Sequence, residues 1–234
     1  MLLNYLLILS SLAILSFLGV LFFQPRWLLS IATFIVPNVI YFAKTDKRLI
    51  ALTIDDGPDT ITTPKILEVL QRYGAHATFF VISNRVKGNE ALIKKMVSYG
   101  HELGNHLTED KPSIYLSLQE FESEILEAHN ILSKFGELQW LRPASGWHNA
   151  AMVKIARTHS YQVVLGSIFP FDTHIASIKF SSKHILFNAS PGSIVVLHDN
   201  DLRGERTVST LEKVLPELSR KGYRIVTLSE LFSS

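Results

Sequence analysis

The sequence predicts an α/β fold, in which helices pack against a mostly parallel β-sheet or barrel, preceded by a hydrophobic leader. From Leu49 onward, short apolar runs alternate with amphipathic stretches, which is typical of β/α units. Polar side chains directly follow several of these apolar runs, as they do at the carboxyl ends of parallel strands. Charge is confined to this part of the chain, because Arg26 is the only charged residue before Lys44.

The composition is that of one globular domain behind the leader, and it excludes several classes of protein. The chain has 234 residues, with 23 Lys and Arg against 21 Asp and Glu. This charge content is not that of a polytopic membrane protein, a disordered chain or a repeat array. A net charge of +2 without a long basic run gives no indication of nucleic-acid binding. The absence of cysteine excludes disulfides and thiolate metal sites.

The leader begins with Leu2–Phe23, a segment that carries no charged residue. As a helix it would be about 33 Å long, enough to cross a hydrocarbon core of about 30 Å. No basic residue precedes it and no small-x-small cleavage site follows it, as a cleaved signal peptide would require. We therefore expect residues 1–24 to form an uncleaved membrane anchor, with secretion after signal cleavage as the alternative.

Residues 27–43 form a second apolar stretch, which Pro37 and Asn38 interrupt near its middle. This interruption and the short length argue against a second membrane span. We expect an interfacial helix over residues 27–35, a turn, and a first extended segment over residues 39–42. Residues 25–48 thus lead into the body of the protein, which occupies residues 49–234.

The body contains predicted strands and helices in alternation, without an internal repeat or a linker. The strands are predicted at residues 49–54, 77–82, 102–105, 139–141, 162–166, 193–197 and 223–227. The helices are predicted at residues 63–73, 90–99, 117–135, 150–159 and 207–221. Ser117 and Glu120 form a capping box at the start of the third of these helices.

Chemically active side chains follow five of the predicted strands, so we expect them to converge on one rim of the sheet. They are Asp55 and Asp56 after the first strand, His106 and Asp110 after the third, Arg142 after the fourth, Asp172 after the fifth, and His198 with Asp199 after the sixth. A surface that needed only solubility would carry scattered Lys and Glu residues there.

Asp55 and Asp56 are adjacent carboxylates, which repel each other unless a cation or an arginine lies nearby. Gly57 and Pro58 turn the chain, so both carboxylates can face one site. A solvated turn is the plain alternative. Aspartyl-phosphate hydrolases also place Asp after their first strand, but they need two Asp residues separated by one position.

The remaining residues suggest a metal ion and a proton donor. One helical turn would place His106 and Asp110 on one face, and Asp56 would complete a set of one histidine and two carboxylates. Such a set leaves positions open for water, as a catalytic metal site needs. His198 suits a proton donor at neutral pH. Arg142 is placed to hold either Asp55 or Asp172 ionised.

Four motifs, L-T-I-D-D-G-P-D, G-N-H-x-x-x-D, R-P-x-x-G-W and V-V-L-H-D, occur in this order. In order and spacing they resemble the polysaccharide deacetylases of carbohydrate esterase family 4, the nodulation-type and chitin or peptidoglycan N-deacetylases. The resemblance covers about residues 49–231. It implies a distorted (β/α) barrel with a divalent metal ion at the rim, zinc first, with cobalt or manganese as alternatives.

The resemblance also implies a role for each matching residue. Asp55 matches the general base, His198 the general acid, Arg142 the residue that orients the base, Asp172 the partner of the acid, Asp56 and His106 two metal ligands, and Pro143, Trp147 and Leu197 the substrate groove. Most of the family has a second histidine where Asp110 stands as third ligand here. Phe169 and Thr173 stand where the family usually has Asp and Trp, and Ala144 and Ser145 replace the usual Pro and aromatic residue.

The function implied is metal-dependent removal of N-acetyl groups from an N-acetylglucosamine polymer, a chitin-like oligomer or peptidoglycan, with release of acetate. A non-catalytic carbohydrate-binding pseudoenzyme tethered to the membrane is one alternative. A metal hydrolase that acts on a small amide or an O-acetyl ester is another. Such a substrate places the body outside the cytoplasm, against the weak orientation signal of Arg26 and Lys44. We then expect residues 27–43 to be apolar because they pack on the body.

Overall fold

The computed structural model of the protein describes residues 2–234, apart from the side chains of residues 2–4, 6–8, 14, 15, 18 and 21. The strands are β1 (Val39–Ile40), β2 (Leu49–Asp55), β3 (Ala77–Val81), β4 (Glu102–Asn105), β5 (Trp140–Leu141), β6 (Gln162–Val164), β7 (Ile194–His198) and β8 (Arg224–Val226). The helices are α1 (Leu2–Phe23), α2 (Arg26–Ile35), α3 (Thr62–Arg72), α4 (Glu90–Ser98), α5 (Leu118–Leu132), α6 (Ala150–Thr158), α7 (Ile178–Asn188), α8 (Asp201–Arg220) and α9 (Leu228–Phe232). Three 3-10 turns lie at Ser83–Arg85, Ser113–Tyr115 and Ala144–Gly146.

The strands form one parallel sheet in the order β1-β6-β5-β4-β3-β2-β7, with β8 paired to the first half of β2. The sheet curls, because Phe42, just after β1, forms an antiparallel bridge to Ser193 at the start of β7. A parallel bridge between Ile168, which follows β6, and Val195 of β7 narrows the gap between these two strands. The predicted parallel α/β fold is therefore confirmed, and its form is a curled half-barrel.

β2 is an inner strand that pairs with β3, β7 and β8, and it is buried along its whole length. Its nearly continuous apolar sequence is that of a parallel strand covered on both faces. Ile50 and Ile54 belong to the core between the sheet and helices α3 and α8, whereas Ala51 packs in a second cluster with Phe80 and Trp140. This packing fixes the position at which β2 ends, and Asp55 is its last residue.

Most predicted elements are present, with differences at the ends and two helices that were not predicted. The capping box of Ser117 and Glu120 is confirmed. Helix α7 was not predicted, because it lacks the apolar stripe that indicates an amphipathic helix. Ser181, Ser182 and His184 lie on its buried side instead. Helix α8 begins at Asp201 rather than at residue 207. Gly204 in its first turn packs so closely on Thr62 that a Cβ there would collide with that side chain.

The leader forms two helices, α1 and α2, that meet at Gln24 and Pro25. Within the part of the chain that the structure describes, no helix is both long and apolar enough to cross a membrane. The anchor predicted over residues 1–24 depends partly on side chains outside the described ones, and it stays a prediction.

The expectation that residues 27–43 are apolar because they pack on the body holds for only part of this stretch. Val39 and Ala43 are buried in the core. Helix α2, in contrast, has no fully buried residue, and Trp27 and Phe34 are 62% and 90% exposed. The expectation is therefore wrong for the outer face of α2.

Candidate active site

The centre of the site lies where β2 and β7 end side by side, with Asp55 directly opposite His198 in the parallel register. Both residues are buried. Arg142, just beyond β5, reaches across the sheet so that its Nη1 lies 2.5 Å from Asp55 Oδ1. The same Nη1 donates to Thr53 Oγ1 at 2.8 Å. A buried arginine in contact with Asp55 stabilises the ionised carboxylate.

Arg142 is itself held in place on several sides. Its Nε donates to the backbone oxygen of Val164 at 2.9 Å, and its guanidinium lies 4.1 Å from the centre of the Phe80 ring. Burial lowers the pKa of Arg142, and the charge and hydrogen bond of Asp55 oppose this effect. Of the two partners that the sequence left open for Arg142, the structure selects Asp55.

Asp56 turns away from the strand with a φ of 72°, a conformation that residues other than glycine rarely adopt. Arg85 Nη1 donates to its backbone oxygen at 2.6 Å. This turn is how two adjacent carboxylates come to face the same cavity. Burial alone would raise the pKa of Asp56, but hydrogen bonding and the charges of His106, His198 and Arg203 lower it to about 2.

His106 faces Asp56, with its Nε2 3.4 Å from Asp56 Oδ1. Its other ring nitrogen, Nδ1, lies 2.7 Å from the backbone oxygen of Arg142. A carbonyl oxygen only accepts, so Nδ1 carries a hydrogen and Nε2 faces the carboxylate. Burial alone would lower the pKa of His106, but the hydrogen bond with Asp56 and the charges of Asp55 and Asp56 raise it. Two acceptors at this distance require a proton or a cation between them. A histidine oriented by a backbone carbonyl in this way is typical of metal ligands, so Asp56 and His106 fit a divalent metal ion.

Asp110 does not lie with these two residues as predicted. No helical turn follows His106, because Leu107 has a φ of 64° and residues 108–111 form bends. The prediction that one helical turn places His106 and Asp110 on the same face is therefore wrong. Asp110 is exposed, although it lines the same cavity. The described residues contain no group of three His, Asp or Glu side chains close enough to hold a metal ion.

His198 is paired with Asp172, whose Oδ2 lies 2.9 Å from His198 Nδ1. Burial by itself lowers the pKa of His198, but the charge and hydrogen bond of Asp172, with the charges of Asp55 and Asp56, raise it to about 9. Arg206 Nη2 donates to the backbone oxygen of Asp172 at 3.0 Å. The imidazole is therefore protonated at neutral pH and can donate a proton.

Two side chains make contacts that the sequence did not predict: Arg203, because α8 was expected to start at residue 207, and Asp199, which was named at the rim without a role. Arg203, in the first turn of α8, places its Nη1 3.3 Å from Asp56 Oδ2. Asp199 is fully buried and accepts hydrogen bonds from the hydroxyls of Thr62, at 2.5 Å, and Thr63. Burial raises the pKa of Asp199 to about 6, although both hydroxyls act to lower it.

These groups open into a cavity of about 870 Å³, a size usual for ligand sites. Its polar lining includes Asp55, Asp56, His106, Asp110, Arg142, His198 and Arg203, and its apolar lining includes Ala32, Ile35, Val36, Trp147, Leu165, Phe169 and Val196. Trp147 is 66% exposed on the wall, where a sugar ring can stack.

Two residues assigned to the substrate groove are placed elsewhere. Leu197 is fully buried in the hydrophobic core, because successive side chains of a strand point to opposite faces. Its neighbours Val196 and His198 line the cavity instead. Pro143 is buried, and it is not among the residues of the described chain that line the cavity. The assignment of Leu197 and Pro143 to the groove is corrected accordingly.

Comparison with known proteins finds peptidoglycan deacetylases among the relatives both by sequence and by structure. The chain is 39% identical over 202 residues to a peptidoglycan-N-acetylglucosamine deacetylase of Bacillus cereus, covering 85% of this chain and 92% of that protein. The crystal structure of a peptidoglycan N-acetylglucosamine deacetylase in complex with 4-naphthalen-1-yl-N-oxidanyl-benzamide matches 84% of this chain and 94% of its own. Its TM-score is 0.80 and its sequence identity 28%.

A second solved structure belongs to a pseudoenzyme of carbohydrate esterase family 4 from Bacillus anthracis. It has a TM-score of 0.76 and 25% identity, and the match covers 82% of this chain and 68% of that one. The sequence profile of the polysaccharide deacetylase family matches residues 42–164, which include Asp55, His106 and Arg142. With this match, the 39% identity to the Bacillus cereus protein and the half-barrel around the site, the chain belongs to the polysaccharide deacetylase family.

Proposed function

We propose that the protein is a metal-dependent hydrolase that removes N-acetyl groups from a polysaccharide containing N-acetylglucosamine, a chitin-like oligomer or peptidoglycan. The observation that carries this proposal is the pair of groups at neighbouring strand ends. Asp55 is a carboxylate held ionised by Arg142, and His198 is an imidazole held protonated by Asp172. A base and an acid facing one cavity are what hydrolysis of an amide requires.

The reaction follows from the protonation state of each group. Asp55 accepts a proton from the water that attacks the acetyl carbon, and a new C–O bond forms. His198 donates its proton to the amide nitrogen as the C–N bond breaks, because an amine leaves far more easily than its anion. Acetate and a glucosamine-type amine are released. Arg142 keeps Asp55 ionised and directed at the cavity through its contacts to Thr53 and Val164.

Asp56 and His106 would hold the metal ion, and Asp110, on the same cavity wall, is the candidate for a third ligand. A divalent metal supplies a bound water of lowered pKa and polarises the substrate carbonyl. We expect zinc first. Cobalt and manganese are the alternatives, because a set of two carboxylates and one imidazole is harder than the set of one carboxylate and two imidazoles that is usual in the family.

The pseudoenzyme remains the second candidate, because the described residues contain no group of three metal-binding side chains and a solved relative is a pseudoenzyme. Acetate release by the purified protein with added zinc, cobalt or manganese, from chitin oligomers and from peptidoglycan, separates the two. Acetate from either polymer supports the deacetylase. A protein that binds these glycans without releasing acetate under any metal is a binding module.

Asp55→Asn tests the assignment of the base. The amide cannot accept the proton, so acetate release is expected to fall by about 100- to 10,000-fold, the usual contribution of a general base. Metal content measured on the same sample should stay the same. Asp46→Asn is the matched control, because Asp46 is exposed and outside the cavity. Undiminished turnover in Asp55→Asn rejects the assignment.

We also propose that the leader anchors the protein and that the body lies outside the cytoplasm, where wall or matrix polymers are found. The support is the uncharged sequence of Leu2–Phe23 and the substrate class proposed above. Protease added to intact cells should digest the body if it lies outside. A body that resists the protease until the cells are broken contradicts this location.

A further inference from the structure

The outer face of α2 exposes large apolar side chains without a single charge. Trp27, Leu28, Ile31, Phe34 and Ile35 are all exposed, and Phe34 is 90% exposed. The only charged residue of the helix, Arg26, points to the body instead. Its Nη2 donates to the backbone oxygen of Pro191 at 2.8 Å and to Ser193 Oγ at 3.0 Å. Contiguous exposed apolar surface of this kind marks a site of contact with another molecule or a membrane.

The helix that precedes α2 indicates what covers this face. In α1, residues 9–13 are all exposed, and five successive residues pass once around a helix. No residue of α1 is charged. A groove on a protein partner covers one side of a helix, whereas lipid covers every side. Since α1 joins α2 directly at Gln24 and Pro25, one lipid phase can cover both helices.

The charges next to this apolar surface have the sign that lipid headgroups favour. Phe22 at the end of α1 packs on Phe180 and Phe187 of α7, with ring centres 6.2 Å and 5.6 Å apart. On α7, Lys179 and Lys183 are exposed one turn apart. No acidic residue occurs in residues 1–45 or 173–192. Exposed lysines beside an apolar helix face complement an anionic membrane surface.

We propose that the outer face of α2, formed by Trp27, Leu28, Ile31, Phe34 and Ile35, lies in the interface of a lipid bilayer with α7 against the headgroups. An amphipathic helix placed in this way inserts its apolar side chains to a depth of about 5–10 Å.

This contact would place the catalytic cavity beside the membrane. Ala32, Ile35 and Val36 of the same segment line the cavity. Gln24 exchanges two hydrogen bonds with the backbone of Phe169, at 2.8 Å and 2.7 Å, and so ties the junction of α1 and α2 to another cavity wall. If the proposed deacetylase function is correct, the substrate is therefore a glycan that lies close to the membrane surface.

Site-directed spin labelling of the full chain tests the lipid contact, because the protein has no cysteine of its own. Phe34→Cys carries the label on the outer face of α2, and Lys94→Cys carries it at an exposed position of α4 as the matched control. Both proteins are placed in vesicles of phosphatidylcholine and phosphatidylglycerol. We expect the label at 34 to be relaxed by oxygen and shielded from a water-soluble nickel chelate, whereas the label at 94 stays open to the chelate.

Equal exposure of both labels to the chelate overturns the proposal. Dipolar broadening between labels at 34 would show that a second copy of the chain covers the face, which overturns it as well. Ile31→Cys repeats the measurement at a second position of the same face. Acetate release from soluble chitin oligomers in detergent is recorded on the same proteins, so that failure of the lipid contact is distinguished from failure of the proposed function.

Discussion

Three residues with left-handed backbone lie directly at the functional side chains. Asp56 has a φ of 72°, Leu107, next to His106, has 64°, and Phe171, next to Asp172, has 56°. Such conformations cost about 1–3 kcal/mol each and persist where the surrounding structure enforces them. At these positions they turn the chain away from regular strand geometry, so that Asp56 and His106 line the cavity and Asp172 pairs with His198.

The pair of Asp172 and His198 predicts how activity depends on pH. Because Asp172 contributes most to raising the pKa of His198 to about 9, the acid of the wild-type protein stays protonated at neutral pH. On the alkaline side, activity should fall as the pH rises through about 9. In Asp172→Asn the burial of His198 is no longer offset by this charge, so the alkaline limb of kcat/KM should move to lower pH. An alkaline limb in the same place would show that Asp172 does not set the state of the acid.

His106→Ala tests whether the pair of Asp56 and His106 holds a metal ion. Loss of one of only two adjacent donors should reduce bound metal to near zero after dialysis, as measured by elemental analysis. His159→Ala is the control, because His159 is paired with Glu122 on the surface. Asp110→Ala should lower the metal content less, since Asp110 is exposed. Unchanged metal in His106→Ala excludes His106 as a ligand.

At the level of single residues, the sequence motifs predicted which side chains form the central pairs of the site. They did not predict side-chain positions that depend on the local backbone conformation. The pairs of Arg142 with Asp55 and of Asp172 with His198 are present, because Asp55 and His198 end strands and their partners lie in the segments that follow β5 and β6. The position of Asp110 depends on the left-handed Leu107, which no local pattern announces. The burial of Leu197 could have been predicted from the sequence, because successive side chains of a strand alternate and Leu197 therefore points away from the face that carries His198.

At the level of elements, the strands could be predicted better than the helices that surround them. β2 and β7 are long apolar runs, and each ends at a polar residue. The first turns of α8 were not predicted, so Arg203 was not assigned to the site. A glycine in a helix reads as a break, yet here Gly204 allows α8 to approach Thr62 of α3.

Gly204→Ala measures how tightly α3 and α8 pack. The added methyl group collides with the buried side chain of Thr62, which also donates to Asp199. Overpacking of this kind costs about 1–3 kcal/mol, more than alanine gains in helix propensity. The free energy of unfolding in urea should therefore fall. Gly136→Ala is the control, because a Cβ there meets no atom within 4 Å. Equal stability of both variants would contradict the close packing.

At the level of the whole molecule, the leader belongs to the site as well as to the proposed membrane contact. Hydropathy separates it from the body, but contacts across more than a hundred residues join them. Arg26 bonds to the chain at Ser190, Pro191 and Ser193, and Gln24 bonds to Phe169. Composition cannot predict such contacts, because each is a single polar side chain in an apolar segment.

For Arg26→Ala we expect weaker substrate binding with little change in the rate of the chemical step. Arg26 holds α2 on the body through its guanidinium, which also lies 4.9 Å from the centre of the Phe42 ring. Hydrogen bonds from a charged group contribute about 1.5–3 kcal/mol, so α2 should loosen and withdraw the wall formed by Ala32, Ile35 and Val36. KM for chitin oligomers should then rise severalfold while kcat changes little, because these side chains do not touch Asp55 or His198. Lys44→Ala, an exposed cation of the same segment, should change neither constant. A fall in kcat at constant KM would show instead that the leader acts on the catalytic groups themselves.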